Sequence, residues 1–228
     1  MGSQGTSETT DQDLAAISLQ KVKTMNAGQR KKCCAVAQDV LDHMRYVKVT
    51  EGTYCEGELP KGVKSSDESA KKHIDGISKG CRVCALGACF LSYIRLYNNV
   101  TLSELVGTFS NTVTEGEVFE SDYHEISNEL DHIFSQAQLC LIETAFELHC
   151  INDDYDCDDA DGYTVEAEAD AAVAFGRKYD DPKVRLKAIM KNIIKNNGEF
   201  IPDKKLHALA AENMKQMKKH KQIPTEIV

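Results

Sequence analysis

Three of the chain's nine cysteines fall within residues 80–90, GCRVCALGACF, and their spacing suits more than one chemistry. Cys81 and Cys84 stand as half of a zinc knuckle, and a tetrahedral site needs two further ligands. The chain has no second C-x-x-C; Cys55, His73, His149, Cys150 or the adjacent Cys33 and Cys34 would have to complete it in space. Cys84 also stands at the start of a helical pattern, where the helix dipole and free N–H groups lower a thiol's pKa. A thiol enzyme with Cys84 as nucleophile is therefore a second reading. Its base would come from His124, His132, His149 or His207, none of which sits in a diagnostic local motif. The third reading is packing: the thiols act as small apolar side chains, and Ala85, Gly87 and Ala88 let another backbone approach the start of a buried helix. This third reading is the one adopted for the segment.

The stretch NDDYDCDDADGYTVEAE carries a calcium pattern. With Gly162 at the sixth position of a calcium loop, Asp159 and Asp161 take the third and fifth, and Glu168 takes the twelfth, where a bidentate carboxylate is required. Cys157 holds the first position, normally Asp, and no partner loop is apparent. The ordinary reading is a solvated acidic loop, which could equally present its charge to a basic protein. Tyr93, Arg95, Tyr97, Arg177 and Tyr179 form a further candidate set near helix ends. Arg grips phosphate bidentately and Tyr stacks on a base, so these five would line a ligand pocket. The alternative is that they are ordinary boundary residues.

Composition narrows the classes. A formal net charge of −9 argues against general affinity for nucleic acid, which depends on clustered Lys and Arg. The lysines crowded between Lys204 and Lys221 read as the solvated face of a last helix. No apolar run approaches the length of a membrane span. Nine scattered cysteines and the absence of a basic-then-apolar leader point to a reducing cytoplasm. Gly2 and Thr6 match a myristoylation pattern, although a flexible polar leader explains them as well. Glycine-rich phosphate loops, G-x-S-x-G and H-E-x-x-H are absent, so the common enzyme signatures fail.

The elements that must position these residues are mostly helical. Residues 1–13 are too polar to order, and a single helical domain is expected over 14–228, with an acidic loop at 152–162 and a lysine-rich C-terminal helix. A capping box at Asn26 and Gln29 opens a helix reaching about Tyr46. Residues 47–64 read as a short strand or extended loop, and a short helix fits 70–77. Further helices are expected from Cys84 to about Asn98, after Thr101, over 122–132, and after a capping box at Ser135 and Gln138. Two more follow over 165–179 and from Asp181–Pro182 to a stop at Asn197–Gly198, before Asp203 opens the last. The expected fold is mainly α: a compact domain of seven or eight helices with at most a minor β-hairpin.

The set CRVCALGACFLSYIRL, FSQAQLCLIETAFEL and AVAFGRKYDDPKVRLKAIMKNIIKNNGEFIP resembles uncharacterised helical proteins of bacteriophages and bacteria. These share a C-x-x-C-A-L-G-A helix and a late R-L-x-x-I-M-x-N-I-I-x-N-x-G-x-F segment, and the similarity covers about a third of the chain. The resemblance implies a phage or prophage accessory protein acting in the bacterial host's cytoplasm. It carries no known activity or catalytic residues. The expected function is a non-enzymatic binding protein that engages a host protein or a small signalling molecule, with counter-defence as one such role, without nucleic acid, membrane or an obligatory cofactor. The alternatives are a metal-binding protein, with calcium at the acidic loop or zinc at Cys81 and Cys84, and the thiol enzyme.

Overall fold

A computed structural model describes residues 25–63, 68–98, 100–106, 116, 118–149, 166–209 and 211–212. Asn26 caps α1 (Ala27–His43) with the expected reciprocal box: its side chain accepts from Gln29 N–H at 2.9 Å, and the Gln29 side chain accepts from Asn26 N–H at 3.0 Å. β1 (Lys48–Val49) and β2 (Cys55–Glu58) follow, joined by residues 50–54. A 3-10 turn at Ala70–Lys72 leads into α2 (Ile74–Ser78). Next come β3 (Arg82–Val83), α3 (Ala85–Leu96), α4 (Leu102–Val106), β4 (Val118–Ser121) and α5 (Tyr123–Leu130). The chain continues through α6 (Gln136–Glu147), α7 (Glu166–Gly176) and α8 (Pro182–Lys195). Residues 204–209 are helical again, with Asp203 Oδ1 accepting from Lys205 N–H and Leu206 N–H.

The chain is mainly α, with two corrections to the sequence reading. Among the described residues there are nine helical segments up to Lys195, eight α-helices and the 3-10 turn, rather than seven or eight. The β structure is a four-stranded sheet in the order β1-β3-β2-β4, not a hairpin, with β1–β3 parallel and the other pairs antiparallel. β1 and β3 contain two residues each, too few to show an alternating pattern.

α3 is the central helix. Every residue from Ala85 to Ile94 is buried, and α1, α5 and α6 pack around it. The small residues at its start do what their size permits. A Cβ on Gly87 would lie 1.6 Å from the Tyr54 carbonyl oxygen, so the 50–54 backbone rests directly on the first turn. Gly176 does the same for α7, where a Cβ would meet the Ala145 carbonyl at 1.9 Å. α8 buries Leu186, Ile189, Met190 and Ile193 against α1 and stops where expected, with φ of 56° at Asn197 and 97° at Gly198. Among the described residues, no helix is long and apolar enough to cross a membrane.

Candidate functional site

Three of the five candidate ligand residues lie on the last turns of α3, but they do not face one way. Tyr93 and Tyr97 are one turn apart, with ring centroids 6.1 Å from each other. Tyr93 is buried, whereas Tyr97 is 39% exposed. Lys32 of α1 places its ammonium 5.3 Å from the centre of the Tyr97 ring, within cation–π range. Burial, then Glu129 and Asp131, push the Tyr93 hydroxyl pKa up. The outcome is an aromatic end to α3 with one lysine of α1 held against it.

Arg95, two residues on and so on another face of α3, is already engaged. It donates to Asp39 at 2.6 Å, to Ser78 at 3.0 Å and to Asp75 at 3.3 Å. It borders a hollow of about 10 Å³ that Val40, Met44 and Leu91 line with His43 and Ser92, room for about one water molecule.

The other two candidates sit at the α7–α8 junction. Arg177 is exposed. Tyr179 contributes through its backbone: its carbonyl accepts from Arg185 Nε at 3.1 Å and Nη2 at 3.0 Å, while its ring packs 5.7 Å from Phe175. The five residues therefore form two groups at different places in the fold.

Cys55, Cys81 and Cys84 are deep in the core. Cys81 donates its S–H to the Ile77 carbonyl at 2.7 Å and lies beside Cys55, whose thiol is pushed up by its hydrogen bond with Cys81 and by burial. Cys84 caps α3, its sulfur accepting from Gly87 N–H at 3.5 Å. That bond favours the thiolate, as the helix-start argument requires. Burial and the nearby Glu143 outweigh it and hold the thiol pKa well above its ordinary value.

Of the proposed calcium ligands, Asp159 and Asp161 lie outside the described residues, as does the acidic loop. Glu168 is on α7, with its pKa raised by desolvation against the lowering effect of His207. Among the described residues, no group of three or more His, Cys, Asp and Glu is arranged to hold a metal.

A polar cluster that the sequence reading did not single out lies beneath residues 50–54. Arg185 is 2% exposed; besides Tyr179 it donates to the Phe146 carbonyl and pairs with Glu51. Glu147 accepts from Gly52 N–H at 2.9 Å. Glu143 is 1% exposed and hydrogen-bonded to Tyr54, and its Oε2 has no partner. Burial pushes the Glu143 carboxyl pKa up to about 8, helped by Glu147 and opposed by Tyr54. The signal for both residues was positional. Glu143 is four residues after Leu139 on the apolar stripe of α6, and Arg185 is four before Ile189 on that of α8.

No family model, curated protein or solved structure matches the chain.

Proposed function

We propose that the protein is a non-enzymatic binding protein, an accessory factor of a bacteriophage or prophage that engages a host protein through Tyr97 and Lys32. The observation that carries this reading is an exposed Tyr at the end of the central helix with a Lys ammonium over its ring. Tyrosines concentrate binding energy at protein interfaces because they offer a large rigid face and a polar tip. Here α3 is anchored by the buried core, so Tyr97 is held without the ordering cost of a loop. The phage context rests on the resemblance of the α3, α6 and α8 segments alone.

The small-molecule reading centred on Arg95 has less support. Its guanidinium is occupied by Asp39, Asp75 and Ser78, and the hollow beside it holds about one water molecule. The test is a photo-crosslinking amino acid introduced at position 97 or, as control, at the exposed Val184, in the bacterial host. The expected result is one protein adduct specific to position 97 that is lost in Lys32→Glu. Equal labelling from both positions, or none from 97, overturns the reading.

A further inference from the structure

Residues 50–54 cross the start of α3 and one side of α6, and their ties run to the buried polar cluster. Gly52 N–H donates to Glu147 at 2.9 Å, Glu51 pairs with Arg185, and Tyr54 is hydrogen-bonded to Glu143. The Tyr54 carbonyl accepts from Cys84 N–H at 3.2 Å. The groups facing Glu143 are Tyr54 from this segment, Cys84 from α3 and Glu147 from its own helix. Behind Glu147 stand Glu51, His149 and Arg185. Arg185 is the guanidinium of the set; it pairs with Glu51, and its charge acts on Glu147 from further off. A neutral Glu143 leaves that balance intact. An ionised Glu143 adds a negative charge on a side chain that is 1% exposed and whose Oε2 has no partner, and such a charge must be solvated or neutralised.

We propose that residues 50–54 are a strap that deprotonation of Glu143 releases. Loss of the proton strengthens the Tyr54 hydrogen bond to Glu143 but leaves a buried carboxylate whose Oε2 is unpaired beneath the strap; water enters to solvate it, the ties from Gly52 to Glu147 and from Glu51 to Arg185 loosen, and Cys84 is uncovered. The Glu143 proton leaves to solvent, so no co-reactant is required. The pKa of about 8 puts the change at mildly alkaline pH.

The test is site-resolved alkylation of the full chain with iodoacetamide from about pH 6 to about pH 9, a range that brackets carboxyl release at the raised value. Cys84 labelling is normalised to the partly exposed Cys34, and the buried Cys89 reports global unfolding. The expected result is a tenfold or larger rise in normalised Cys84 labelling with a midpoint near Glu143 ionisation, absent in Glu143→Gln, with Cys89 protected throughout. The same rise in Glu143→Gln, joint labelling of Cys84 and Cys89, or no Cys84 labelling across the range overturns the proposal. Hydrogen exchange of the Gly52 amide in the unaltered protein, corrected for intrinsic pH dependence, gives a reading that needs no variant. Faster exchange above the midpoint supports release, and unchanged protection contradicts it.

Discussion

Glu143 and Arg185 are the residues whose chemistry departs furthest from their position in the sequence pattern. Each is a charged type on an apolar stripe, and each is almost fully buried. Such placements were visible in the spacing, but their partners come from residues 51 to 54 and 146 to 179, which only the fold brings near. Glu143 sets a pH dependence whose sign follows from proton counts. Between its ordinary value of 4.5 and about 8, the folded chain holds a proton at this site that the unfolded chain has released. Stability contributed here is therefore complete below the lower value and lost as pH rises toward the upper one. Glu143→Gln should raise the melting temperature at pH near 7.5, by the equivalent of roughly 2 kcal/mol, and change it little near pH 5. Thermal melts of both proteins at the two pH values check this. Arg185→Met should cost about 3 to 5 kcal/mol in urea unfolding, because it leaves Glu51 without its cation and the Phe146 and Tyr179 carbonyls without this donor. Arg185→Lys should recover little, since one ammonium cannot span those acceptors.

Helices with explicit ends were legible element by element. Asn26 and Gln29, Asp181 with Pro182, and Asn197 with Gly198 all act at the expected residues. The approach of another backbone at Ala85–Ala88 was also legible, and the partner is Tyr54. Gly87→Ala should therefore push residues 50–54 off α3, lowering stability by about 1 to 3 kcal/mol, measured by chemical denaturation. A strand within residues 47–64 was legible and β1 and β2 lie there, but the four-stranded sheet was not, because strands of two to four residues are defined by their neighbours rather than by an alternating pattern. The cap at Ser135 was read half correctly. Ser135 accepts from Gln138 N–H at 3.3 Å, but the Gln138 side chain turns to Phe200, accepting from its N–H and donating to its carbonyl at 3.3 Å. Gln138→Ala should accordingly cost roughly 1 to 2 kcal/mol and speed amide exchange at Phe200 while leaving the start of α6 protected.

At the scale of the whole molecule, an acidic chain presents a lysine–tyrosine pair where α1 meets the end of α3. Tyr97 was singled out from its position near a helix end; Lys32, which completes the feature, was not, because its distance from Tyr97 in sequence hides their contact. The grouping of all five candidate residues into one pocket was beyond what spacing could test, since it depends on how α3 and the α7–α8 junction are placed. The most direct measurement of the proposed function is native mass spectrometry of the protein purified from its bacterial host, alongside a Tyr97→Ala, Lys32→Glu double variant. A host protein retained by the unaltered chain and lost, at least tenfold, from an equally folded variant is the predicted result. Equal retention by both, or a small added mass in place of a protein partner, would contradict it.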